Sequence, residues 1–208
     1  FGNLFVSETD HLRSSEAVAL SSSRMCLIGY WQSYAYIEPI AASLQSELKL
    51  PTPKDSRLLN IGQRLRSTNT LALGVRLYEE SPNASANCFQ NKFKPLRLVS
   101  TQISLLKQVF PDIHVAVFCT HRAKCLDDLG LDLLPTTYLT GADGIESALD
   151  TLWLLTQCKH HLFLNSTLYW WGAFLSQSIH GGTSNGQRII ASDNFLNQSI
   201  YPPEWELF

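Results

Sequence analysis

No stretch of the sequence is apolar enough to cross a bilayer. The densest, Leu162 to Leu175, is broken by Asn165, Ser166, Thr167 and Gly172 and falls short of the roughly 18 consecutive apolar residues a spanning helix needs. A soluble chain is therefore expected. Charge is sparse as well, at 16% of residues with a formal net charge of -2. There is no basic stripe to neutralise a phosphate backbone and no lysine run to hold an anionic lipid surface, so nucleic acid is not an expected partner. Repeats and low-complexity tracts are absent. The chain opens Phe1-Gly2-Asn3, without an initiator Met or a charged start leading into an apolar core, and is expected to be a piece of a longer protein. The five cysteines, Cys26, Cys88, Cys119, Cys125 and Cys158, are odd in number and widely spaced. That pattern argues against a disulfide framework and for a reducing compartment. The sequons at Asn83, Asn165 and Asn197 are no more than chance supplies at this length.

What is present is apolar surface, 45% of 208 residues, enough for the core of one large domain. From about residue 70 the pattern alternates. Leu71 to Leu77 predicts a buried strand, and Lys94 to Val109 a helix with Leu98, Ile103, Leu106 and Val109 at near-helical intervals, ended by Pro111. Ile113 to Cys119 reads as a strand, Ala123 to Leu129 as a short helix closed by Gly130, and Pro135 to Leu139 as another strand. After the turn Gly141 to Gly144, Ile145 to Cys158 reads as a helix with Ile145, Leu149, Leu152 and Leu155 on one face. A strand at His161 to Leu164, an apolar helix at Tyr169 to Ser178, the loop Gly181 to Gly186 and a strand at Arg188 to Ala191 complete the run. Strands alternating with helices predict an α/β domain over 70–208, a doubly wound parallel sheet of Rossmann-like type. Such sheets bind ligands beyond the carboxyl ends of their strands, here after Leu77, Cys119, Leu139 and Leu164. Residues 1–69 differ, with helices expected near Ser14 to Ser22 and Tyr36 to Leu48 and the proline-bearing stretch Leu50 to Pro53. They read as a helical segment, a linker or the remnant of a neighbouring domain.

The most informative stretch is Asn165-Ser166-Thr167-Leu168-Tyr169-Trp170-Trp171-Gly172-Ala173. It follows a predicted strand and opens a predicted helix, so small polar side chains sit where backbone N–H groups lack partners. Two readings fit these residues: a plain N-cap, or a site where free amides, hydroxyls and the helix dipole hold a diphosphate without a metal ion. The tryptophan pair directly after the cap, with Gly172 for close packing, is uncommon in an ordinary helix and favours the second. Cys119, His121 and Cys125 with His114 nearby have the ligand types for zinc but match no paired spacing, and buried cysteine hydrophobes explain them better. The Gly181 to Gly186 loop follows a helix and lacks a P-loop lysine, so a flexible connection is the better reading.

The run Leu154 to His161, continuing through Asn165-Ser166-Thr167-Leu168-Tyr169-Trp170-Trp171-Gly172-Ala173-Phe174-Leu175, resembles the C-terminal signature of glycosyltransferase family 11, the α-1,2-fucosyltransferases. Gly29-Tyr30-Trp31-Gln32-Ser33-Tyr34-Ala35-Tyr36 is similar to that family's G-Y-F-Q-S-x-x-Y segment, and Pro202-Pro203-Glu204-Trp205 to its terminal P-x-x-W. The resemblance covers about residues 29–208. It implies the C-terminal, nucleotide-holding half of a GT-B glycosyltransferase, in which two Rossmann-like halves face each other. The family's G-G-L-G-N-Q segment is absent.

By that resemblance Gly74-Val75-Arg76-Leu77-Tyr78-Glu79 lies over the family's H-x-R-R-G-D. Arg76 then holds the donor's diphosphate as negative charge builds on it, and Glu79 stands for the aspartate. A salt bridge from Arg76 to Glu79 or Glu80 is the plainer alternative. The family's histidine and second arginine are replaced by Gly74 and Leu77, and its F-S-D-D stretch by Phe118-Cys119-Thr120-His121. Asp150 matches an acidic position that pairs with guanine N1 and N2, which uracil cannot offer; a solvated helix charge fits it equally. Gln32 is implied in substrate binding beside Asn165, Ser166 and Thr167.

The function these resemblances imply is metal-independent, inverting transfer of fucose from GDP-fucose, as donor substrate, to a glycan hydroxyl, with no cofactor. Glu79 and Glu80 are the candidate bases. The partners are a nucleotide-sugar donor and a glycan acceptor. A cytoplasmic protein is expected, peripherally associated with the inner face of a membrane, or a Golgi-lumenal one in a eukaryote. A diverged homologue that binds nucleotide or carbohydrate without catalysis is the alternative.

Overall fold

A computed structural model of the chain describes residues 4–7, 25–28, 33–75, 96–120, 122, 124–194 and 198–208. Two short strands, β1 (Leu4–Ser7) and β2 (Met25–Ile28), pair in parallel as a ribbon of their own. The main sheet is built from β3 (Thr70–Gly74), β4 (His114–Phe118), β5 (Thr136–Leu139), β6 (His160–Phe163), β7 (Ile189–Ala191) and β8 (Glu206–Leu207). All neighbours in it are parallel, in the order β5-β4-β3-β6-β7-β8. Counted from β3 as the first strand, that order is 3-2-1-4-5-6, the doubly wound order of dinucleotide-binding folds.

Side-chain size explains how the layers form. The sequence of β3 alternates small and large: Leu71, Leu73 and the following Val75 point into one core, and Ala72 into the other. The first face carries α3 (Leu96–Val109), whose Val99, Ile103 and Leu106 pack with Val115, Val117, Leu162 and Leu164. The opposite face carries α2 (Ser56–Ser67), α4 (Ala148–Gln157) and α5 (Thr167–His180), with α1 (Ala41–Glu47) laid against α5. There α4 lies between α2 and α5, and both neighbours present a glycine to it. A Cβ on Gly62 would fall 2.3 Å from the Trp153 ring, and one on Gly172 would fall 2.7 Å from Leu155 Cβ. Close helix packing at Gly172, anticipated in the sequence, is thus present.

Most predicted elements appear within a residue or two. The helix expected from Ile145 begins only at Ala148, where Ser147 caps it, and its apolar face is shifted in part. Ile145 and Leu155 are buried as expected, but Leu149 is 57% exposed and Leu154 is buried in its stead. Burial falls on the C-terminal half because α2 and α5 clasp the helix there. Lys124–Leu129 is a 3-10 helix, not an α-helix, and Gly130 follows it in the left-handed region at φ 69°. The single helix expected over Tyr36 to Leu48 is broken into 3-10 turns at Tyr34–Tyr36 and Glu38–Ile40 before α1, with Pro39 in the second turn. The helix expected at Ser14 to Ser22 lies outside the described residues. Four elements escaped the sequence reading: β1, β2, α2 and the two-residue edge strand β8. The change of composition near residue 69 is not a break in packing, since Leu58 and Leu65 of α2 share one core with Phe163 and Phe174. Among the described residues no helix is long and apolar enough to cross a membrane.

Candidate functional site

The sheet order places a topological switch point between β3 and β6, where successive connections leave in opposite directions and where folds of this kind form a crevice at the carboxyl edge. Leu164 N–H donates to Gly74 O at 3.1 Å, which pins the β6 exit beside the end of β3. The chain then turns through Asn165 and Ser166, both half-buried, into exposed Thr167 at the head of α5. Ser166 is the N-cap, with extended backbone (φ -159°, ψ 124°) and a side chain that makes no capping bond. Its carbonyl accepts the Trp170 N–H at 3.0 Å, so the helix is regular from its first turn. No acidic side chain lies in that turn. Its first N–H groups are thus not taken up by the N-cap side chain and, with the positive end of the helix dipole, face the crevice.

Tyr169 shapes the floor of this crevice, a role the sequence reading missed. Its buried hydroxyl lies 2.9 Å from Phe118 O and 3.2 Å from Val75 O, bridging the carboxyl ends of β4 and β3. The ring covers Gly74 so closely that a Cβ there would fall 2.5 Å from it. The available signal was the glycine ending a strand of otherwise apolar residues, a mark of close approach.

Asp150 stands in the first turn of α4, half-buried, its N–H donating to Ser147 Oγ at 3.4 Å. Both α4 and α5 run from the carboxyl edge back to the amino edge, and they pack on each other. Their N-termini therefore open side by side, at the roughly 8–10 Å spacing of packed helices. The fold brings Asp150, Asn165, Ser166 and Thr167 to one edge. Arg76, Glu79, Glu80 and Gln32 lie outside the described residues.

The tryptophan pair has a packing role that the sequence reading did not assign to it. Trp170 is buried, stacks on Phe174 at 5.1 Å, meets Trp205 at 5.4 Å and donates its indole N–H to Ile200 O at 3.0 Å. It ties the segment 198–205 to α5, a use that the large aromatic area and single donor of tryptophan suit. The Gly181 to Gly186 loop holds a 3-10 turn, Thr183–Asn185, and lies at the amino edge, away from the crevice. Of the residues considered for zinc, His114 bonds Thr137 Oγ1 at 2.9 Å, Cys119 is buried, and His121 lies outside the described residues.

The strongest electrostatic perturbations also sit at the amino edge. Burial pulls His160 down to about 4 and His161 to about 3, with nearby Lys159, Arg188 and His180 adding to the effect. Burial likewise lowers His180 and pushes the Cys158 thiol up. A cavity of about 520 Å³ lined by Leu48, Lys49, Trp153, Gln157 and Ile179 opens there too, at the C-terminal ends of α4 and α5. Nothing of this touches the crevice.

A doubly wound parallel sheet with a strand-to-helix junction at its switch point defines a Rossmann-like unit. Residues 114–207 match the family model of glycosyl transferase family 11. The match runs from β4 into β8 and takes in Asp150 and Asn165 to Thr167; β3 lies outside it. No curated protein and no solved structure matches the chain.

Proposed function

We propose that the chain holds the donor nucleotide of an inverting, metal-independent glycosyltransferase that moves fucose from GDP-fucose to a glycan hydroxyl. The observation that carries this reading is the α5 start at Ser166, open at the switch point and inside the family match. In this reading the α5 amides, Ser166 and Thr167 bind the diphosphate, Asn165 shapes the turn that presents them, and Asp150 accepts from guanine N1–H and N2–H. The acceptor oxygen attacks the anomeric carbon while the bond to GDP breaks and its electron pair leaves on the β-phosphate. Arg76 stabilises that charge. The acceptor's proton passes to a carboxylate, Glu79 or Glu80 on this chain or a base on a facing half, and Gln32 helps hold the sugars.

A second reading, nucleotide binding without transfer, has one specific observation in its favour. Where the resembled motif carries histidine this chain has Gly74, and the Tyr169 ring occupies the space a side chain there would need. Calorimetric titration with GDP, GDP-fucose and UDP, followed by assays of donor hydrolysis and transfer, separates the readings. Binding of GDP in preference to UDP with fucose transfer supports the first, GDP binding without turnover the second, and no binding to any of the three sinks both.

A further inference from the structure

We infer that Arg57 is a positioning residue for the donor site, clamping the loop between β5 and α4 that forms the base-side rim. The inference rests on the nucleotide-binding reading above. Arg57 is the second residue of α2, and because α2 runs back toward the start of β3, its first turn lies at the carboxyl edge of the sheet. Asp55 caps this helix, accepting the Arg57 N–H at 2.8 Å. The guanidinium reaches across to a part of the chain more than eighty residues away, donating from Nη1 to Asp143 O at 2.5 Å and from Nη2 to Gly144 O at 3.0 Å.

Two successive carbonyls are thus held by one planar fork, a geometry the single ammonium of lysine cannot reproduce. Gly144 completes the fit. It sits at φ 74°, which favours glycine, and a Cβ there would fall 2.7 Å from Nη2 and displace the guanidinium. Inside the loop Asp143 Oδ2 accepts from Thr140 N at 3.0 Å and from Thr140 Oγ1 at 2.7 Å, which stiffens the turn that Arg57 grips. Residues 141–144 are exposed, and the chain becomes buried again only at Ile145. Three residues further on, α4 begins, with Asp150 in its first turn.

The base-side loop is therefore held by bonds of its own, none of which involves the head of α5. Ordering a loop in advance removes that cost from binding, so the clamp should act on affinity for the whole nucleotide and not on affinity for its phosphates. Loss of two charge-assisted bonds to the loop predicts a GDP affinity about tenfold weaker.

The test is calorimetric titration of the full chain, wild type and Arg57→Ala, with GDP and separately with inorganic pyrophosphate. Weaker GDP binding with pyrophosphate binding unchanged within about twofold, a difference near the scatter expected of a distant site, supports the clamp. Unchanged GDP affinity, or equal losses for both ligands, overturns it. Gly144→Ala is the second variant and carries the test if Arg57→Ala does not fold. It forces a Cβ against the guanidinium from an exposed loop tip and should give the same split; without that split the inference fails. Wild-type protein that binds no GDP would instead refute the donor-site reading itself, a result distinct from a wild type that binds GDP and a variant that binds it equally well.

Discussion

Acidification from pH 7 to pH 5 is expected to cost the native state about 4 kcal/mol through two histidines at the amino edge of the sheet. His160 is locked as the neutral imidazole with hydrogen on Nε2: Nδ1 accepts the Arg188 N–H at 3.0 Å, and Nε2 faces Asn69 Oδ1 at 2.9 Å. Protonating Nδ1 would set an N–H against an N–H. His161 is fully enclosed, and its Nε2 has no partner. The native values, about 4 and about 3, lie below the ordinary 6.5, so the native state binds fewer protons than the unfolded chain. Their contribution is complete above pH 6.5 and falls as pH drops toward the native values, at about 1.4 kcal/mol per pH unit per group. At pH 5 that is about 2 kcal/mol from each. His114 and His180, also lowered by burial, add in the same direction. Against a typical total of 5–15 kcal/mol the loss is easily measured. Urea unfolding followed by tryptophan fluorescence between pH 7 and 5 gives the slope directly. His161→Leu should flatten it by about half, whatever that variant's absolute stability. A stability independent of pH over this range would refute the assignment of neutral, buried imidazoles.

Other expectations follow from the packing and the site. Gly172→Ala sets a methyl 2.7 Å from Leu155 Cβ and should lower stability by about 1–3 kcal/mol in denaturant melts, with partial recovery in the Leu155→Ala background. Tyr169→Phe removes the hydroxyl that bridges Val75 O and Phe118 O; about 1–2 kcal/mol of stability should go with it, while circular dichroism stays native. Arg76→Ala should weaken GDP binding several-fold without lowering the melting temperature, and an unchanged affinity would exclude a phosphate role for Arg76.

Much of this protein was legible from local pattern. Apolar runs bounded by Gly and Pro marked the strands from β3 to β7, and the polar triplet Asn165 to Thr167 before an apolar helix marked a strand-to-helix junction at the switch point. These signals are readable because period and capping act over a few residues. The helix α2 was missed because glycine and three arginines dilute its apolar face to Leu58, Ile61 and Leu65, and the fit of Gly62 depends on Trp153, about ninety residues later. Strand β8 is two residues long and exists only as an addition to the edge of β7. Leu149 was misassigned to the buried face of α4 for a related reason: which of its leucines is buried depends on the helices that flank it.

The sequence by itself determined the α/β class, the alternation of elements from β3 to β7 and the position of the helix start at Ser166, since each follows from neighbours along the chain. Only the tertiary structure decided the order 3-2-1-4-5-6, the small floor of Gly74 under Tyr169, the structural use of Trp170, and the grip of Arg57 on the loop beside Asp150. Each of these joins residues distant in the chain, and their meeting is set by how large and small side chains fit between layers, which no local periodicity encodes.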